Sequence, residues 1–141
     1  NDFKRQQTRA VQLLLVQGLK DHYSLFDRYP PCARTLRDKP DTITLPAGIS
    51  STEALIFVHS NQLVEAFAND SALRPFLLDL PDGFLQQGTL GNPGEIRDAY
   101  GNTMDYLDTG GVGGAPVIIS GGPDGYIGGA HAKDDIRSDE D

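Results

Sequence analysis

The stretch NDFKRQQTRAVQLLLVQGLKDHYSLFDRYPP, residues 1–31, decides the fold. Its apolar residues fall at Phe3, Ala10, Val11, Leu14, Leu15, Leu19, Tyr23 and Phe26, a spacing of threes and fours that gathers them on one side of an α-helix. Asp2, Lys4, Arg5, Gln6, Arg9, Gln12, Gln17 and Lys20 take the other side. Leu13 and Val16 widen the apolar stripe beyond a coiled-coil seam, so the helix is expected to lie against a sheet. Over about 25 residues, at about 1.5 Å each, it runs roughly 38 Å, which is long for a small domain. Tyr29-Pro30-Pro31 ends it, because proline pushes the preceding residue out of the α conformation.

Working outward, Asp41–Pro46 predicts an edge strand or an extended connection. Ser51 or Thr52, with Glu53, opens a second helix through about Ala68, with Leu55, Ile56, Val58, Leu63, Val64 and Phe67 as its buried residues. A further helical turn or two falls within Ser71–Leu78, and Pro81-Asp82-Gly83 breaks it. Fourteen of the 16 glycines then lie between Gly83 and Gly129, a pattern of turns around a few short strands. Thr103–Leu107 and Val117–Ser120 predict an antiparallel hairpin with the glycine-rich tip Thr109–Gly114. The fold class is α+β: a long helix on a small antiparallel sheet, with short helices between and a glycine-rich C-terminal loop. A length of 141 residues suits one domain, divided as an N-terminal helix over 1–28, a variable segment over 29–95, and a hairpin with C-terminal loop over 96–141.

The formal charge of −8 argues against nucleic acid as a partner. Its distribution is uneven. Residues 1–40 carry eight Lys and Arg against four Asp, net +4, and the other 101 residues carry four basic against 16 acidic, net −12. Two ends meeting different surroundings are expected from such a split. The single Cys32 excludes an intrachain disulfide and any multi-cysteine zinc pattern. No apolar run is long enough to span a bilayer.

Three sets of residues offer chemistry. The first is Ser120, Asp124, Asp134 and Asp135, set among Gly121, Gly122, Gly125, Gly128 and Gly129. A hard cation such as Ca²⁺ takes six to eight oxygens, and these residues supply such oxygens if the loop folds back on itself. It is not an EF-hand: with Asp124 first and Asp135 twelfth, Tyr126 and Gly128 stand where oxygens are needed. The plainer reading is a solvated acidic tail of turn-forming residues. The second is Asp108-Thr109-Gly110, the short signature of aspartic proteases, which runs into a glycine-rich tip instead of a second apolar strand. The third is Cys32 with His22, His59 or His131 as a thiol dyad, against which stand two histidines on helices and one in a loop. A hydrolase using Asp108 or Cys32 is the weakest function these residues suggest, and the chain is expected not to be an enzyme.

Three separated pieces agree with one family. The helix closing in Tyr23, Arg28, Tyr29 and Pro30 resembles the helix end of type II secretion pseudopilins. The run Ile96-Arg97-Asp98-Ala99-Tyr100-Gly101-Asn102, followed by Tyr106, is similar to that family's Asp-Pro-Trp-Gly-Asn stretch, with Ala99 in place of the proline and Tyr100 in place of the tryptophan. Ile119-Ser120-Gly121-Gly122-Pro123-Asp124-Gly125, then Asp134-Asp135-Ile136, resembles the C-terminal loop of major pseudopilins, where calcium binds. The resemblance implies a structural subunit of a pseudopilus or type IV pilus-like fibre. It would be anchored in the inner membrane by an apolar half-helix upstream of Asn1, with its domain in the periplasm and with other pilin-like subunits and secretion-machinery proteins as partners. It carries the calcium-binding role onto Ser120, Asp124, Asp134 and Asp135. It also gives the charge split a direction, with Lys4, Arg5 and Arg9 toward anionic headgroups or acidic neighbours. The unmatched segment Ser51–Gly83 suggests an alternative, a minor pilin-like surface module for binding or adhesion.

Overall fold

The computed structural model describes residues 2–140, with His131 described by its backbone alone. Helix α1 spans Asp2–Phe26, α2 Ser51–Ala68 and the short α3 Arg74–Leu78. Strands β1 (Leu85–Gln87) and β2 (Gly94–Ile96) pair antiparallel, with Leu85 opposite Ile96. Strands β3 (Asp105–Leu107), β4 (Val117–Ser120) and β5 (Ile136–Arg137) form an antiparallel sheet in the order β3-β4-β5. The protein is α+β, as the periodicities predict, and the β3–β4 hairpin falls where it is expected. Strands β1 and β2, three residues each, fall in 85–96, where periodicity predicts none.

One apolar core joins the two long helices to the sheets. Val11, Leu15 and Leu19 of α1 meet Leu63, Val64 and Phe67 of α2, and both sides rest on Ile96, Met104, Tyr106 and Ile118. Gly18 leaves room for the ring of Phe67 from α2: a Cβ there would lie 2.6 Å from Phe67 Cε2. Tyr106 is fully buried and its hydroxyl donates to the Pro30 carbonyl at 2.7 Å, which holds the chain after α1 against β3.

The inward face of α1 differs from the one its apolar residues define. Thr8, Val11, Gln12, Leu15, Gly18, Leu19 and His22 are buried, whereas Phe3, Leu13, Tyr23 and Phe26 are exposed. The core covers mainly the middle of this helix, and the half-open rings at its C-terminal end pack beside it, Phe26 on His22 with ring centroids 4.7 Å apart and Tyr23 on Tyr29 at 4.9 Å. Gln12 turns inward because its Nε2 donates to the Ile136 carbonyl at 2.7 Å, in a strand that sequence periodicity cannot bring to it. Beside it, Arg9 donates to the carbonyls of Arg137 and Glu140, and Arg5 pairs with Glu140 at 3.6 Å. Part of the basic excess of the N-terminal segment is therefore met by the protein's own C-terminal segment, a use of Arg5 and Arg9 that the charge split alone does not suggest.

Residues 41–46 form an extended connection and not a strand. Its would-be ladder is replaced by one side chain: Asn92 accepts from the Thr44 N–H at 2.7 Å and donates to the Thr44 carbonyl at 2.8 Å. Helix α2 starts one residue before the expected cap. Ser50 is the N-cap, its hydroxyl accepting from the Glu53 N–H while the Glu53 carboxylate accepts from the Ser50 N–H. Such a reciprocal pair satisfies two otherwise orphaned donors. Replacing Ser50 with alanine should destabilise the protein by about 1 kcal/mol, visible as a lower urea midpoint at unchanged m-value. Of the residues expected to be buried on α2, Val58, Leu63, Val64 and Phe67 are, and Leu55 and Ile56 are half-buried.

Candidate metal centre

The β4–β5 register creates the site. Pairing Ser120 with Ile136 closes the base of a loop that carries Asp124 at its first turn and Asp134 and Asp135 on its return. The loop can fold this tightly because of its glycines. Gly122 has φ +70°, and a Cβ on it would lie 2.1 Å from the Asp134 carbonyl oxygen. Gly125, at φ +76°, Gly128, at +78°, and Gly129, at +56°, also occupy left-handed or related backbone that side-chain-bearing residues avoid.

Of the four residues singled out in the sequence, Asp124 and Asp135 are brought into electrostatic reach of one another. Asp124 Oδ1 accepts from the Tyr126 N–H at 2.9 Å. Asp135 is only 7% exposed; its Oδ2 accepts from the Gly128 N–H at 2.9 Å, and its Oδ1 is buried with no hydrogen-bond partner. Burial pushes the Asp135 pKa up; the Gly128 N–H opposes this and the negative charge of Asp124 adds to it. An anionic oxygen without a donor in a buried loop is costly unless a proton or a cation meets it. Asp134 is half-buried, and its backbone carbonyl packs against Gly122. Ser120 is fully buried and its hydroxyl is engaged within the protein, donating to Asp98 Oδ2 at 2.6 Å and accepting from the Gly122 N–H at 3.0 Å.

Among the described residues, no three His, Cys, Asp or Glu side chains form a group that could hold a metal. A side-chain cage is therefore not what this loop offers. Its two neighbouring carboxylates and the backbone carbonyls of a glycine-rich turn are a donor set of hard oxygens, and the orphaned Asp135 Oδ1 is a position that a hard cation would satisfy. In this respect the residues fit calcium.

The other two sets behave differently. Cys32 Sγ lies 3.3 Å from Asp108 Oδ1, and burial together with the adjacent carboxylate pushes the thiol pKa up to about 11. A thiol so shifted is protonated at neutral pH and is a weak nucleophile. Asp108 follows β3 directly as that thiol's partner. His22 Nδ1 bonds the Arg28 carbonyl. His131 as a dyad partner lies outside the described side chains.

Two buried groups, named above only as a dyad candidate and as part of a motif, have partners that the sequence does not show. His59 is 3% exposed, with Nδ1 at 2.8 Å from Asp105 Oδ1 and Nε2 at 2.6 Å from the Ala33 carbonyl. Both partners are acceptors, an arrangement that the imidazolium form satisfies by donating from both ring nitrogens. Burial alone would lower its pKa, but the Asp105 hydrogen bond and charge, with the Ala33 carbonyl, raise it overall. This pair lies beside a cavity of about 470 Å³ lined by Arg34, Thr52, Leu55, Ile56 and Ile127. The second group is Asp98, 2% exposed, whose signal in the sequence is the turn pattern Asp-x-x-Gly-Asn over 98–102.

Comparison with protein-family models, with curated proteins and with solved structures gave no match.

Proposed function

We propose that this protein is a structural subunit of a pseudopilus or a type IV pilus-like fibre, with a C-terminal loop stabilised by calcium and no catalytic role of its own. The observation that carries this reading is the buried, unpartnered Oδ1 of Asp135, facing the charge of Asp124 in the loop that the family resemblance marks as calcium-binding. The architecture is compatible with such a subunit: α1, 25 residues long, lies on a small antiparallel sheet and its first turn extends past the buried residues. No helix of the described residues is long and apolar enough to cross a membrane. Anchoring in an inner membrane, a periplasmic domain, and contacts with other pilin-like subunits and secretion-machinery proteins all belong to the proposal.

In this reading Asp124 and Asp135 hold the ion, and Ser120 and Asp134 shape the backbone around it. When bound, calcium would supply positive charge to two close carboxylates and cross-link the loop. A ligand that binds only the folded state stabilises it by about 2.7 kcal/mol at a hundredfold excess over its dissociation constant. Thermal melts in calcium should therefore rise above melts in chelator, and the difference should disappear in Asp135→Ala. Identical melts of the wild-type protein at millimolar calcium would reject the calcium part.

The alternative of a minor pilin-like binding or adhesion module has one observation in its favour, the mostly apolar cavity beside the first turns of α2. The rest of α2 is core: Val58, Leu63, Val64 and Phe67 are buried, so deleting Ser51–Gly83 would unfold the domain and not merely remove a patch. A substitution confined to the cavity, Leu55→Arg, is the cleaner test. It should abolish partner binding and leave the fold intact if this alternative holds.

A further inference from the structure

Asp98 sits in the turn that follows β2, away from the acidic residues of the C-terminal loop in sequence, yet it is 2% exposed and both of its carboxylate oxygens accept hydrogen bonds. Its Oδ1 accepts from the N–H groups of Tyr100 at 3.0 Å and Asn102 at 2.9 Å. The backbone closes the same turn, with Asp98 N–H donating to the Asn102 carbonyl and Gly101 N–H to the Asp98 carbonyl. Its Oδ2 accepts a hydrogen bond from the Ser120 hydroxyl at 2.6 Å, and that hydroxyl oxygen accepts from the Gly122 N–H at 3.0 Å. A relay of one carboxylate, one hydroxyl and one amide thus runs from the 98–102 turn into the first bend of the loop. A second contact runs parallel to it: a Cβ on Gly125 would lie 2.9 Å from Asn102 Nδ2, so the Asn102 side chain lies directly over the residue after Asp124.

A charged acceptor binding a hydroxyl holds it in one rotamer, and a hydroxyl so fixed presents its lone pairs in set directions, one of them here toward a backbone amide. The amide concerned belongs to Gly122, the residue whose left-handed backbone brings the returning Asp134 carbonyl close. Fixing Gly122 therefore fixes the approach of the two sides of the loop, one carrying Asp124 and the other Asp135. We propose that Asp98 is a positioning residue for the cation loop, acting through Ser120 to hold Gly122 and so to preorganise Asp124 and Asp135 before any ion arrives. Preorganisation raises affinity by removing the ordering cost from the binding step. The inference rests on the calcium reading for its consequence in affinity, and on the relay itself for its consequence in loop order.

The test is a calcium titration by calorimetry of the wild type, Asp98→Asn, Ser120→Ala and the double variant, with amide hydrogen exchange of residues 121–135 measured in chelator. Asp98→Asn keeps the size of the side chain but takes away the charged acceptor for the hydroxyl. Each single variant should bind calcium about tenfold or more weakly. The double variant should be no worse than the weaker single one, because both act through one relay. The Gly122 amide should exchange at least about tenfold faster in each variant without calcium. If stability falls but calcium affinity and loop exchange stay at wild-type values, Asp98 is merely structural and the proposal is overturned. Additive losses overturn the relay. If the wild type binds no calcium, the calcium reading falls and with it the claim on affinity, while faster loop exchange in the variants would still establish the relay. Should Asp98→Asn not fold, Ser120→Ala cuts the same relay one step later and decides the outcome.

Discussion

Asp105→Ala should destabilise the protein by about 3–5 kcal/mol at slightly acid pH, among the largest effects of any single substitution here. The carboxylate accepts from His59 at 2.8 Å and from the Tyr106 N–H at 2.9 Å in a site 8% exposed. Truncation leaves a buried imidazolium with a carbonyl on one side and no anion on the other. The pH dependence distinguishes this from simple loss of packing. His59 has a folded-state pKa raised above its unfolded value, which is about 6.5. Its contribution is fully present below that unfolded value and is lost as pH rises through the folded one. The wild type should therefore lose stability on going from about pH 6 to about pH 9 through this group, and the gap between wild type and Asp105→Ala should narrow over the same interval. Urea unfolding at both pH values measures it. A gap that is constant with pH would mean that His59 is neutral in the fold.

Gly122→Val should cost up to about 5 kcal/mol and remove the response to calcium. A left-handed backbone costs a residue with a side chain about 1–2 kcal/mol, and making room in a packed site costs about 1–3 kcal/mol more. Both apply, because φ is +70° and a Cβ would lie 2.1 Å from the Asp134 carbonyl oxygen, a backbone atom that cannot rotate away. The loop must open at its base to admit the side chain, which parts Asp124 from Asp135. Gly48→Ala is a suitable control, since its φ is +80° with nothing within 4 Å of the added carbon. It pays the conformational cost without the clash and should keep the calcium response. Equal effects from the two substitutions would show that the approach of Gly122 to Asp134 has no special part in the loop.

The long helices and the hairpin were legible because their signals are local. A spacing of threes and fours needs only neighbouring residues, and Tyr29-Pro30-Pro31 stops α1 without help from elsewhere. Ser50 was recoverable on the same ground, because Glu53 lies three residues on and so selects Ser50 over Ser51 and Thr52. Gln12 was not. Its polarity assigns it to solvent, and only the carbonyl of Ile136, 124 positions away, makes its burial affordable. Strands β1 and β2 were hidden for a related reason: three residues are too few to show alternation, and their pairing defines them. The acidic loop residues stood out by type and spacing, whereas Asp98 and His59 carry their significance in partners supplied by Ser120, Asp105 and Ala33.

The bonds from Arg9 and Gln12 to residues 136–140 also set an order of events during synthesis. Helix α1 leaves the ribosome before the strand that seals it, with 124 to 131 positions between partners. Contacts so far apart in sequence cannot form until the intervening chain is made, and the entropy of closing that span must be met before they contribute. Until then the inward side of α1, including the amide of Gln12, is uncovered on this flank. The domain can therefore complete its fold only once β5 has been made, and a nascent chain arrested before Ile136 would hold α1 on the rest of the core without the carbonyls that meet Arg9 and Gln12.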